Sequence, residues 1–103
     1  MAGDARSDGW GKLYQFEVDA VCARVNASAA TVYFALVSLR NAQMGETPPV
    51  GLALIASKTN QGPRTVQRGL KSLVDAGLIE RLGGGHRPRY RFPLLNRVKS
   101  DVV

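Results

Sequence analysis

Residues 52–82 read LALIASKTNQGPRTVQRGLKSLVDAGLIERL, and this stretch decides the fold. Leu52, Ile55, Ala56 and Thr59 recur at helical spacing, which predicts a helix from Leu52 to Lys58. Asn60-Gln61-Gly62 forms a short turn. Pro63 follows at a first helical position, where its missing N–H costs no hydrogen bond, so a second helix opens there. Val66, Leu70, Leu73 and Val74 give this helix its apolar face through Ala76, and Gly77 stops it as the residue after the cap. Leu78–Leu82 reads as a strand, Gly83-Gly84-Gly85 as a hairpin turn, and Tyr90–Leu94 as the returning strand, with Tyr90, Phe92 and Leu94 alternating.

The flanks add less. Met1–Lys12 holds three glycines and alternating charge around Trp10, and reads as a flexible arm. Tyr14, Phe16 and Val18 fall at period two over Leu13–Val18, an edge strand or extended lead-in. Asp19 is a plausible N-cap for a short helix through Val25. Ser28 is the next N-cap, opening a helix to Gln43 that stops at Gly45. Its apolar stripe (Ala29, Val32, Leu36 and Leu39, with Ala30, Tyr33, Phe34 and Val37 beside it) is wider than one packing partner needs. Such a helix is either central in the core or shares a second face with another subunit. Tyr33, Phe34 and Val37 are the dimer-face candidates on that second reading. Glu46-Thr47-Pro48-Pro49 is a loop, Val50 adds a single extended residue, and the polar tail 96–103 carries no assignment.

Two short helices joined by a tight turn, followed at once by a β-hairpin, make a winged helix-turn-helix. The chain from Leu52 to Ile79 resembles the bacterial winged helix-turn-helix family, in the version found in small transcriptional regulators and in plasmid or phage replication proteins. RTVQRGLKSLVDAGLIER (64–81) and the glycine wing GGGHRPRYRF (83–92) carry the resemblance, with the helix from Ser28 standing where such domains place their first. Gly62 departs from the family's usual serine or threonine cap, and Gln61 stands where an apolar residue is usual. The fold expected is mainly α with a small β-hairpin wing, a three-helix core over residues 13–95.

Composition agrees. The chain has 103 residues and a formal net charge of +6. Up to residue 57 it has four basic and five acidic side chains; from residue 58 it has ten basic and three acidic. Charge this uneven points to a polyanion at one end of the domain, against the plainer reading of a solvated surface. One cysteine, Cys22, permits no intrachain disulfide and suits a reducing interior. In its apolar helical pattern it reads as a small buried hydrophobe. No apolar run approaches a membrane span of about 20 residues, and no signal-peptide pattern appears. These features argue against a secreted, membrane-spanning, disulfide-scaffold or large multi-domain protein. With one histidine and scattered carboxylates, no metal site, general acid–base pair or cofactor is suggested. The glycine run lacks the GxxxxGK[ST] spacing of a phosphate-binding loop, and no small-molecule ligand is evident.

With Val66, Leu70 and Leu73 turned to the core, Arg64, Thr65, Gln67, Arg68 and Lys71 remain on the outer faces of helix 63–76. They supply guanidinium forks suited to guanine, an amide suited to adenine, and a methyl and hydroxyl for thymine or phosphate. An ordinary solvated helix face would mix glutamate with lysine, but no acid occurs between Lys58 and Val74. Lys58, Gly84, His86, Arg87, Arg89 and Arg91 form the backbone-contacting set around the wing, with Arg81 beside them. A short, merely exposed wing is the plainer alternative. Gly69, costly in mid-helix by about 1 kcal/mol, reads as a close helix crossing.

The function expected is sequence-specific binding of double-stranded DNA by a transcriptional regulator, a homodimer in the cytoplasm at the nucleoid. Helix 63–76 enters the major groove and wing 83–89 lies on the backbone. A replication-initiation or DNA-maintenance factor is the first alternative; a protein-interaction or RNA-binding winged helix is the second. A protein-docking face would expose aromatics or leucines where helix 63–76 offers basic and amide groups.

Overall fold

The computed structural model describes residues 13–40 and 45–95. The N-terminal arm with Trp10, residues 41–44 and the tail lie outside them. The elements in chain order are α1 (Gln15–Arg24), α2 (Ala27–Leu39), α3 (Leu52–Thr59), α4 (Pro63–Asp75), β1 (Glu80–Leu82) and β2 (Arg89–Arg91).

The helix-turn-helix and wing follow the sequence closely. Asn60 ends α3 in the left-handed conformation (φ 55°), a geometry asparagine tolerates better than most residues. Gln61 then ties the turn to the start of α2: the Ser28 hydroxyl donates to Gln61 Oε1 (3.1 Å), and Gln61 Nε2 donates to the Ser28 carbonyl (3.4 Å). A polar residue thereby anchors a position where an apolar one was expected. Gly77 (φ 76°) turns the chain out of α4 into β1. The strands pair antiparallel with Glu80 opposite Arg91, Arg81 opposite Tyr90 and Leu82 opposite Arg89. The hairpin is shorter than the alternation suggested, because residues 93–95 are already helical. Its loop runs through 83–88 rather than the three glycines alone.

The segment 46–50 runs beside β2. Glu46 bridges to Arg91, the Thr47 N–H donates to the Tyr90 carbonyl (3.0 Å), and the Val50 N–H donates to the Pro88 carbonyl (3.1 Å). The expected loop thus behaves as a third, irregular strand of the wing.

The N-terminal third corrects the sequence reading. The stretch read as an edge strand and a separate short helix is a single helix, α1, with Tyr14 rather than Asp19 at its N-cap. Asn26 rather than Ser28 caps α2, accepting from the Ala29 N–H (2.9 Å). That helix ends at Leu39, short of Gln43, where Arg40 turns extended (ψ 137°).

α2 is central, packing against α1, α3 and α4. This accounts for its wide apolar stripe: Val32, Tyr33, Leu36 and Val37 are buried with Ile55, Val66, Leu73 and Phe92. Within this core lies an ion pair. Arg40 donates to both oxygens of Glu17 (2.7 and 2.9 Å), and the Tyr33 hydroxyl donates to Glu17 Oε2 (2.5 Å). The Arg40 guanidinium also stacks over the Phe92 ring, 4.6 Å from its centroid, where the ring's negative face adds to the attraction.

Candidate nucleic-acid interface

α4 buries Val66, Gly69 and Leu73. At about 100° per residue, the side opposite them carries Arg64, Arg68, Lys71 and Asp75 as one ridge. The flank toward the wing carries Gln67 and Val74; the flank toward α2 carries Thr65 and Ser72. Arg64, Thr65, Gln67, Arg68 and Lys71 are all exposed. The close approach of α4 to α2 depends on Gly69: a Cβ there would stand 3.1 Å from Val32 Cγ2 and 3.4 Å from the Ala29 Cα.

The wing lies beside this ridge. A groove lined by Ile55, Gln67, Leu70, Arg81, His86 and Tyr90 separates the hairpin from α3 and α4. The wing tip folds back on the start of α3, with the His86 carbonyl and the Arg87 side chain 3.8 Å from the position a Gly51 Cβ would take. Arg81 donates to the Gly85 carbonyl (2.9 Å), holding the tip. Gly84, His86, Arg87 and Arg89 are exposed and Arg91 is partly so. Lys58 projects from the last turn of α3.

Ion pairing divides these cations. Lys71 pairs with Asp75 (3.2 Å), Arg89 with Glu46 (3.2 Å) and Arg91 with Glu80 (2.5 Å). Among the described residues, no carboxylate pairs with Lys58, Arg64, Arg68 or Arg87. The grouping into recognition helix and wing is therefore cut across by a second one, between cations held by a carboxylate and cations open to an outside anion. Glu80 could have been foreseen as a cross-strand partner for the basic returning strand, although its place opposite Arg91 follows from the longer loop 83–88 and not from the three glycines. Glu46 could not, because only the tertiary fold brings it to Arg89.

The dimer-face candidates do not form a surface. Tyr33 and Val37 are 0 % and 1 % exposed, and Phe34 is half-buried with its ring edge-on to Tyr33. A second copy could not reach Tyr33 or Val37 without opening the core. Cys22 is exposed on α1, not buried. Among the described residues, no cluster of histidine, cysteine and carboxylates could hold a metal ion, and no helix is long and apolar enough to cross a membrane.

The fold has a counterpart among known structures. The chain is similar to a possible transcriptional regulatory protein (fragment 1–100) of Mycobacterium bovis, solved by crystallography. Their identity is 24 % and TM-score 0.51, with 84 % of this chain and 87 % of that one covered. A solution structure from the same organism also matches, described as the homodimeric winged helix-turn-helix DNA-binding domain of a possible ArsR-family regulator. It shares 22 % identity at a TM-score of 0.48, over 84 % of this chain and 75 % of that one. The likeness to the crystal structure concerns the fold alone. No curated protein matches the chain. A helix-turn-helix domain family matches residues 6–79, which contain α1 to α4. The chain belongs to that helix-turn-helix family.

Proposed function

We infer that the protein binds double-stranded DNA, with α4 in the major groove and the wing along the adjacent backbone, and that it acts as a transcriptional regulator. The observation that carries this reading is the ridge of α4. Arg64 and Arg68 stand on it exposed, with no carboxylate partner among the described residues, and the Gln67 amide is exposed beside them. An α-helix fits the major groove, and side chains near the start of a recognition helix reach base edges there. Arg64 and Gln67 lie in the first turns of α4. Arg87, at the wing tip, suits a phosphate.

On this reading the protein works in the cytoplasm by occupying DNA, with no catalytic step and no cofactor. A second copy on an inverted half-site would make the complex palindromic.

The test is selection of genomic fragments, followed by fluorescence anisotropy of the enriched duplex and a scrambled one at two salt concentrations. The expected preference is about a thousandfold or more, the lower range for specific DNA binders. Fragments overlapping promoters support a regulator, whereas origin repeats would move the role to replication. Weak, equally salt-sensitive binding to both duplexes would overturn sequence-specific recognition.

A further inference from the structure

We propose that the cleft between the start of α2 and the neighbouring flank of α4 holds a DNA phosphate, on the opposite side of the recognition helix from the wing. This rests on the DNA reading above and deepens it. A helix about 10–12 Å across nearly fills a major groove about 12 Å wide, so both its flanks lie against sugar–phosphate walls. The wing attends one wall. The other must meet the flank that carries Thr65 and Ser72.

That flank borders a cleft of about 220 Å³, lined by Asn26, Ser28, Thr65, Arg68 and Ser72 over a floor of Ala29 and Gly69. The cleft is below the roughly 300–1,000 Å³ of small-molecule sites but can take a phosphate group. No carboxylate lines it. The Ser28 hydroxyl is committed to Gln61 and the Asn26 side-chain oxygen to the Ala29 N–H. The Thr65 and Ser72 hydroxyls and the Arg68 guanidinium have no partner among the described residues. A guanidinium and two hydroxyl donors around a solvent-open cleft suit a singly charged oxyanion. Arg68 then positions the helix by gripping the backbone, which leaves Arg64 and Gln67 to read bases.

The double variant Thr65→Val/Ser72→Ala removes both hydroxyls at exposed positions, and thermal melting checks that the fold is kept. It should bind the enriched and scrambled duplexes alike about fivefold more weakly, because a phosphate contact carries no sequence information. A scan of single methylphosphonates along the enriched duplex should find one phosphate, across the groove from the wing, whose neutralisation weakens wild type but not the variant. Wild-type affinity in the variant, a loss confined to the enriched duplex, or no such phosphate would overturn the proposal. If Arg64→Ala and Arg87→Ala weaken binding while the double variant does not, the DNA reading stands without the cleft. Wild type binding neither duplex sinks both.

Discussion

Glu17 and Arg40 show how much one residue pair governs here. Both are buried (0 % and 1 % exposed), and the carboxylate also accepts from the Tyr33 hydroxyl and the Tyr14 N–H. Burial by itself pushes the Glu17 pKa up; the hydrogen bonds from Arg40 and Tyr33 and the Arg40 charge outweigh it and hold the carboxyl below its usual value. The folded state therefore favours the ionised form. The resulting stability is present above the ordinary carboxylate pKa and is lost as pH falls through the lowered one. Glu17→Gln breaks a buried ion pair by removing the charge of the carboxylate to which Arg40 donates twice, and should cost about 3–5 kcal/mol in urea unfolding at neutral pH. The variant should also show a flatter loss of stability on acidification than wild type.

At the scale of elements, the crossing of α2 and α4 sets how far the recognition helix stands from the core. Gly69→Ala should gain helix propensity worth about 1 kcal/mol. Its new methyl, however, meets the fully buried Val32, whose side chain must give way by a few tenths of an ångström. The expected result is no net gain in melting temperature. Val32→Ala should cost less in the Gly69→Ala background than alone, a coupling of about 0.5 kcal/mol or more in a double-mutant cycle. α3, α4 and the hairpin were legible because Pro63 and Gly77 punctuate a regular apolar spacing, and local chemistry sets local structure there. α1 was not. Tyr14 and Phe16, two residues apart like strand neighbours, stack on each other (5.6 Å) at the start of a helix. α1 buries Glu17 together with Val21, and a buried carboxylate cannot be told from a solvated one until Arg40 is seen beside it. The outer positions of α4 were legible from the same spacing; the pairing of Arg89 with Glu46 depends on long-range contacts that no local pattern encodes.

Across the whole molecule, the DNA reading requires a count of charges that are open to phosphate. Lys58, Arg64, Arg68 and Arg87 have no carboxylate partner among the described residues, whereas Lys71, Arg89 and Arg91 have one each. With Arg64 given to a base edge, Lys58, Arg68 and Arg87 give a log–log salt dependence of roughly −3 per protomer, from about −0.9 for each phosphate contact. Anisotropy titrations should show Arg87→Ala reducing that slope by about one and Arg91→Ala changing it less. Glu46→Gln, which releases Arg89, should steepen it. The segment 46–50 bears on the same wing in another way. Two-stranded hairpins are marginal in water on their own, and this one is clasped by Thr47, whose hydroxyl accepts from the Tyr90 N–H across 43 residues of chain. That clasp closes a loop containing both helices of the helix-turn-helix, and Phe92, just past β2, lies in the core. The wing is thus not a flap that peels away while the helices persist: its amides should share the cooperative opening of the domain, so DNA meets a wing already in place.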